Sequence, residues 1–324
     1  MRMKGLDGSR GRIGRIGAAA LLMLALAACS ALPGAPAASL PAAAFDADFL
    51  LIGEVHDNAA QHRLRLHWLE TLAARRRFAI AFEQFDAVRQ DALDRARTAD
   101  AAAAQNGEPL AQRARRIAEA AGFDFRGWHW EYYRPVVELA LRRDLPLVAA
   151  NLSRAQIVAV ARGSAPAEPP PEGWGAAEER ALEASIRDGH CGMLPESAIA
   201  PMAAAQRSRD AQLARAIVEA HRRSGLPVVL LAGNGHQRRD IGVPRYLAKL
   251  APGARVFGIG LLEAQEPRGD DGAGSVDDVA GEDAPEPRFG SRYDFVAVTP
   301  PAAREDPCEA LRAKMRHRPA TVPQ

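Results

Sequence analysis

The sequence has little of what marks several large classes of protein. It contains three cysteines in 324 residues, and aromatic residues make up only 6% of it. So few cysteines form no pattern of the kind that identifies a disulfide-rich scaffold. The formal net charge is +2, and no repeat of fixed period is visible. The sequence therefore predicts neither nucleic-acid binding nor a repeat architecture.

The amino terminus has the layout of a bacterial export signal. Five basic residues precede an apolar run at 18–28, which is too short for a membrane-spanning helix of about 20 residues. The run ends in Leu26-Ala27-Ala28-Cys29, and small residues before a cysteine match the lipobox of bacterial lipoproteins. We expect residues 1–28 to be a cleaved signal peptide and Cys29 to be diacylated. The alternative is an ordinary signal peptide with an incidental cysteine.

The residue after Cys29 bears on the destination of the protein. It is Ser30, whereas aspartate there would be an inner-membrane retention signal. We therefore expect the protein at the outer membrane of the cell envelope, facing the periplasm or the surface. Residues 29–46 have the composition of a lipidated, flexible tether. The signal carries five basic residues and Asp7, so its net charge exceeds the +2 of the whole chain and the mature chain is mildly acidic.

Residues 47–300 have the pattern of one α/β domain. Short apolar runs occur at Phe49–Ile52, Phe78–Phe82, Leu145–Ala150, Val228–Ala232, Val256–Leu262 and Phe295–Val298. Amphipathic stretches predict helices at 58–76, 86–99, 109–121, 134–143, 153–162, 176–187, 196–224 and 243–250. Continuous apolar strands separated by helices are typical of a parallel sheet covered on both faces. We predict an open, mainly parallel sheet with helices on both faces and a helical insertion.

Three segments depart from this pattern. Residues 163–175 are rich in proline, which removes backbone donors and fixes φ, so they form a surface loop or a lid. The acidic segment 263–289 buries too little apolar surface to become ordered, and we expect it and the tail 301–324 to be disordered. An oxidising periplasm would allow Cys191 and Cys308 to pair. The position of Cys308 in this tail argues against a disulfide.

Polar residues follow several strands at the edge where open α/β sheets bind ligands. The segments Gly53–His56 and Gly233–His236 each follow a strand, and Glu83 directly follows another. Glycine lets the backbone turn sharply, while histidine and carboxylate can bind a metal or move protons. A single histidine after a strand is more often structural. Two such segments with a carboxylate predict a functional site.

Other residues are candidates for the same edge. His62 lies on the inward stripe of the first helix, whereas Asn58 could equally be only an N-cap. Glu54 and Glu83 would be costly to bury alone, so each is paired or functional. His190 precedes the long helix beside Cys191. One face of that helix either points at the site or is solvated; it carries Gln206, Arg209 and Asp210.

The aromatic segment 128–135 holds half of the tryptophans and half of the tyrosines. It is either a packed corner that starts a helix at Pro135 or a wall for a flat apolar ligand. In the second case, one of its tyrosines could be an iron ligand.

Together these segments resemble the ChaN-like haem-binding lipoproteins. The resemblance rests on Leu51–Asn58 with His62, Phe82–Phe85, His190–Gly192, Gln206 with Arg209 and Asp210, and Ala232–Pro244. It covers about residues 48–262, and the pair of motifs at 53–62 and 233–244 is its specific part. It also places the chain near the Tiki, TraB and erythromycin-esterase proteins, which share two Gly-x-x-His segments and a glutamate.

The resemblance implies binding of haem or another iron-porphyrin, in iron acquisition or haem trafficking, with haem held between the subunits of a homodimer. Such proteins are expected to use a tyrosine as axial ligand, and the resemblance does not select one. The candidate cofactor-binding residues are His56, His62, Tyr133, His190, His236 and Tyr246.

A second hypothesis is a metal-dependent hydrolase of esters or peptides. A divalent metal held by His56, Glu83 and His236 would activate water, with Glu54 or Glu83 as catalytic base.

Overall fold

The computed structural model describes residues 38–264 and 292–316, which contain a six-stranded sheet. The strands are β1 Phe49–Ile52, β2 Ala79–Asp86, β3 Leu147–Asn151, β4 Val228–Leu231, β5 Val256–Glu263 and β6 Phe295–Thr299. They lie in the order β3-β2-β4-β1-β5-β6. All pairings of this sheet are parallel, which confirms the predicted α/β class.

Helices connect the strands. In the described residues they are α1 Ala59–Ala73, α2 Gln90–Gln105, α3 Leu110–Ala120, α4 Trp130–Arg142, α5 Arg154–Ala161, α6 Ala176–Gly189, α7 Glu196–Ser224, α8 Asn234–Gln237, α9 Val243–Leu250 and α10 Pro307–Arg316. Among these residues, no helix has both the length and the apolar character that a membrane span requires.

The strands are buried on both faces, which explains their continuous apolar sequence. On one face, alternate residues such as Phe49 and Leu230 pack with Leu213 of α7 and Leu247 of α9. Leu50, which points the other way, is 1% exposed, so the second face is covered too. Burial of each large apolar side chain stabilises the fold by roughly 1.5–3 kcal/mol.

Two element boundaries differ from the prediction in ways that affect the site. Strand β2 includes Glu83 instead of ending before it, and its register with β3 shifts between Phe82 and Asp86. Helix α4 begins at Trp130, so Pro135 lies inside the helix instead of starting it. Proline removes one backbone hydrogen bond there. The aromatic segment 128–135 therefore forms a packed corner, and its residues from Trp130 onward form the first turns of α4.

The predicted disorder of the tail is wrong for residues 301–316, and so is the prediction against a disulfide. Cys308, in α10, is bonded to Cys191 in the loop between α6 and α7. Arg304 also forms ion pairs with Asp57 and Glu263. Composition alone missed these contacts, because they join residues between 41 and 247 positions apart in the sequence.

Several predictions fall outside the described residues. These are the signal peptide 1–28, Cys29, the start of the tether and nearly all of the acidic segment 263–289. The proline-rich segment 163–175 is described and contains no helix or strand, as predicted.

Asn58 connects the start of α1 to the β5–β6 side of the sheet. Its side-chain oxygen accepts from the backbone N–H of Gln61 at 3.0 Å, which makes it the N-cap. Its amide nitrogen donates to Glu263 at 2.7 Å and to the carbonyl of Pro300 at 2.9 Å. The prediction that Asn58 is the N-cap of the first helix is therefore correct.

We expect Asn58→Ala to lower the free energy of unfolding by about 1–2 kcal/mol, because the cap and both tertiary bonds are lost. Urea denaturation followed by circular dichroism measures this. Asn106→Ala, at the exposed end of α2, is the control and should change stability by less than about 0.5 kcal/mol. Equal effects of the two variants would contradict this role of Asn58.

Candidate functional site

The two Gly-x-x-His segments meet at the carboxyl edge of the sheet because β1 and β4 are neighbours. Their first glycines are needed for steric reasons. A Cβ on Gly53 would lie 2.1 Å from Oδ1 of Asn234, and one on Gly233 would lie 3.0 Å from the His56 ring. The amide of Asn234 is itself bonded to the backbone of Leu261. The two turns therefore pack against each other.

Glu54 is the centre of a first polar group, the Glu54 cluster, made of Glu54, His56, Arg65, Gln84 and Tyr133. The carboxylate of Glu54 forms an ion pair with the fully buried guanidinium of Arg65. Its Oε1 accepts from the Tyr133 hydroxyl at 2.5 Å and lies 3.0 Å from Nδ1 of His56. Gln84 donates to the same oxygen at 3.4 Å. Because Glu54 is buried, these partners offset the cost of removing its charge from water.

Burial sets the protonation states around Glu54. It lowers the pKa of Arg65 to about 10, which leaves the guanidinium charged at neutral pH. It raises the pKa of Tyr133 above its ordinary value, and the positive charge of Arg65 opposes this only in part. Tyr133 is therefore a neutral phenol, and its hydroxyl donates a hydrogen bond to Glu54. The Glu54 cluster therefore contains one ion pair, between Glu54 and Arg65, and one neutral hydrogen-bond donor, Tyr133.

His56 is the member of the Glu54 cluster that reaches the surface. Its side chain is 42% exposed, and the ring packs edge-on against Trp128 at 4.7 Å between centroids. Burial lowers the pKa of His56, with the charge of Glu83 opposing, so the ring is neutral at pH 7. With Nδ1 on Glu54, the tautomer that satisfies the network carries its proton there. The lone pair then lies on Nε2.

His62 supports His56 from the interior. Its Nε2 donates to the backbone carbonyl of His56 at 3.0 Å, and its ring stacks on Tyr132 at 4.6 Å between centroids. Burial lowers the pKa of His62 to about 4, so this ring is also neutral. His62 holds the turn in place and does not itself present a ligand atom to solvent.

A second polar group, the Glu83 cluster, lies beside the first and consists of Glu83, Gln206, Arg209, Asp210 and His236. Glu83 forms an ion pair with Arg209, lies 3.3 Å from Nε2 of His236, and accepts from the backbone N–H of Gly233 at 2.8 Å. Nδ1 of His236 lies 2.5 Å from Asp210. The imidazole is thus held between two carboxylates.

Charge compensation decides the protonation of this cluster. Burial alone would raise the pKa of Glu83, but the charges of His236 and Arg209 outweigh it and hold that pKa well below its ordinary value. Burial would lower the pKa of His236, yet Glu83 and Asp210 raise it to about 9. Burial raises the pKa of Asp210. His236 is therefore an imidazolium at neutral pH.

The proposed divalent-metal set of His56, Glu83 and His236 is not supported. Within the described ranges, no group of three or more histidine, cysteine, aspartate or glutamate side chains is arranged to hold a metal ion. A metal ligand needs a free lone pair. Both ring nitrogens of His236 lie beside carboxylates, and Glu83 is bonded by Arg209 and Gly233.

Two predicted cofactor-binding residues lie apart from these clusters. His190 ends α6, where its Nδ1 donates to the carbonyl of Ile186 at 2.8 Å. Tyr246, on α9, is buried in the apolar core beside α7, and burial raises the pKa of its hydroxyl. The structure brings together Glu54, His56, His62, Glu83, Tyr133 and His236.

Sequence reasoning missed Arg65, although a signal for it exists. It lies three positions after His62, on the inward side of α1, where an arginine interrupts apolar residues. A charged residue at such a position implies a buried partner, and that partner is Glu54. Solvent exposure of Asp210 was an open alternative; it is 1% exposed and bonded to His236.

Fold and site together define a class: a parallel α/β domain with two interlocked Gly-x-x-His turns and two buried glutamates at its carboxyl edge. The family model described as "Haem-binding uptake, Tiki superfamily, ChaN" matches residues 40–247. The chain belongs to this family.

Two solved structures are similar to this chain to different degrees. The chain is 22% identical to ChaN of Campylobacter jejuni, described with cofacial haem binding, with a TM-score of 0.58 over 67% of this chain and 82% of that one. The erythromycin esterase EreC is 14% identical, with a TM-score of 0.40 over 67% and 70% of the two chains. Comparison with curated proteins finds no match.

The raised pKa of His236 predicts a pH-dependent stability. A basic group with pKa about 9 in the folded state and 6.5 in the unfolded state stabilises the fold fully below pH 6.5. This contribution is lost as the pH rises through 9. At about 1.4 kcal/mol per pKa unit, wild type should lose up to about 3 kcal/mol relative to His236→Gln between pH 6.5 and 9.5.

Urea denaturation across this pH range measures the difference. His67→Gln, at an exposed position on α1, is the matched control and should follow wild type. Parallel profiles for wild type and His236→Gln would show that His236 is not charged in the folded protein.

Proposed function

We propose that this protein binds haem or another iron-porphyrin on the face formed by His56, Trp128 and Tyr132. The observation that carries the proposal is the setting of His56. Its Nδ1 lies 3.0 Å from the buried Glu54, while 42% of the side chain is exposed. A carboxylate on the second nitrogen orients a metal-binding histidine and raises its basicity. Membership of a haem-binding uptake family supplies the ligand class.

The surroundings of His56 fit a porphyrin. Trp128 contacts the His56 ring edge-on, and Tyr132 stacks on His62, whose Nε2 donates to the backbone carbonyl of His56. Both aromatic residues are only partly buried, so they offer flat apolar surface of the kind that lines cofactor sites. When bound, haem supplies an iron that accepts an axial donor from the protein.

The four tyrosines differ in how available their hydroxyl groups are to bind the haem iron. Tyr133 and Tyr246 are buried, and Tyr133 is committed to Glu54. Tyr293 is 6% exposed and donates to the carbonyl of Asn234 at 3.2 Å. Tyr132 is the partly exposed one. His56 and Tyr132 are therefore the two donors that we assign to the iron.

Position and assembly form the finer part of the proposal. The protein would be anchored at the outer membrane through Cys29 and act in iron acquisition or haem trafficking. The lipobox supports this, as does the disulfide, a bond typical of oxidising compartments. A half-exposed ligand on an open face would also suit haem shared between two copies of this chain. ChaN of Campylobacter jejuni is described with cofacial haem binding.

Haemin titration of the full chain carrying Cys29→Ser should give a saturable Soret band near one haem per chain. Size-exclusion chromatography should show dimerisation on loading if haem is shared. Loss of one residue that binds the iron should weaken haem binding by about tenfold or more, which corresponds to a binding free energy of at least about 1.4 kcal/mol. We expect this for His56→Ala.

Tyr132→Phe keeps the aromatic ring and removes the phenol oxygen, so it shifts the Soret band only if that oxygen binds iron. Tyr246→Phe, in the core, is the control and should leave the spectrum unchanged. A response that does not saturate, or identical spectra in all three variants, would refute this haem site.

For the lipid anchor, we expect Cys29→Ser expressed in a bacterium to leave the membrane fraction and to lack the mass added by two acyl chains. Fractionation and mass spectrometry of the mature protein provide the test. Membrane retention of Cys29→Ser would argue against the anchor.

A further inference from the structure

The carboxy-terminal residues 300–308, which we call the strap, are attached close to His56. Arg304 forms an ion pair with Asp57 at 2.7 Å, and Asp57 directly follows His56. The carbonyl of Pro300 accepts from Asn58 at 2.9 Å. The strap therefore leaves the end of β6 and passes the turn that carries the exposed imidazole.

The far end of the strap is held by a disulfide. Cys308 is bonded to Cys191, with 5.6 Å between the Cα atoms. Cys191 lies in the loop between α6 and α7, and α7 carries Arg209 and Asp210 of the Glu83 cluster. The strap thus joins the turn after β1, which carries Glu54 and His56, to the loop that precedes α7.

The disulfide is the strongest of the strap's attachments. Residues 305–307 are exposed, and Cys308 is only partly buried. Arg304 pairs with both Asp57 and Glu263, and the N–H of Ala302 donates to Glu263 at 2.8 Å. These side chains are partly exposed, and such attachments hold a segment weakly because water competes for the charges. A segment with few buried contacts opens readily once its covalent tie is cut.

We propose that the Cys191–Cys308 disulfide is a reducible closure of the haem-binding edge. A thiolate of a dithiol reductant attacks one sulfur and forms a mixed disulfide, and the second thiol of the reductant then displaces the protein sulfur. Two electrons pass to the protein, both cysteines become thiols, and the reductant becomes a disulfide. The strap then leaves Asp57 and Glu263, and the face around His56 becomes more accessible. The role in haem loading rests on the proposed function, whereas the opening itself does not.

The test uses the full chain carrying Cys29→Ser, so that Cys191 and Cys308 are its remaining cysteines. Hydrogen exchange is compared before and after treatment with dithiothreitol, and alkylation confirms that both thiols are free. Exchange should become at least about tenfold faster over residues 300–308 and stay unchanged in β1. Modification of His56 by diethyl pyrocarbonate should also accelerate, with exposed His67 as the internal reference.

Two variants complete the test. The double variant Cys191→Ser/Cys308→Ser should show the hydrogen exchange and His56 modification of the reduced protein. Dithiothreitol should change neither. Arg304→Gln keeps the disulfide and removes the ion pairs with Asp57 and Glu263, so it should loosen the strap less than reduction does. Unchanged exchange or unchanged His56 modification after verified reduction would overturn the proposal.

Haemin association is then measured on the oxidised and reduced chains. Faster association after reduction supports a gate on haem loading. An open strap with equal association rates overturns the gating role. If the strap opens on reduction but the chain binds no haemin, the disulfide closure is supported and the proposed haem-binding function is refuted.

Discussion

The ion pair between Glu54 and Arg65 is the constraint on which the ligand-binding edge depends. Two opposite charges that are both almost fully buried cost several kcal/mol each in lost hydration, and only close contact with further hydrogen bonds offsets this. The requirement fixes α1, which carries Arg65, and α4, which carries Tyr133, against the turn after β1. His56 takes its orientation from the same carboxylate. Removal of either charge would leave the other uncompensated in the interior.

The neighbouring Glu83 cluster follows the same rule with a different result. Glu83, Asp210, His236 and Arg209 place two acidic and two basic side chains together, so their charges compensate and their donors and acceptors are already used. His56, with a half-exposed ring, differs from these side chains. Its neutral imidazole stands beside the ring of Trp128, and the proposed binding of a flat metal complex rests on this arrangement.

The errors of sequence reasoning share one physical origin. The tail looked too polar to fold, yet the disulfide with Cys191 and the ion pairs of Arg304 tie it to the domain. Arg65 and the partner of Asp210 were missed because a charged residue on a helix is normally solvated. Each case depends on a contact between distant segments, which local pattern does not encode.

The sequence by itself determined the parallel α/β class, the strands within a few residues, and the meeting of the two Gly-x-x-His segments at one edge. It could do so because continuous apolar strands must be covered on both faces and parallel strands end on the same side. Only the tertiary structure decided which polar residues pair and which remain available. Burial and close contact set the charge of Glu83, His236 and Arg65, and the exposure of His56. These quantities depend on distances across the fold, and the order of residues does not contain them.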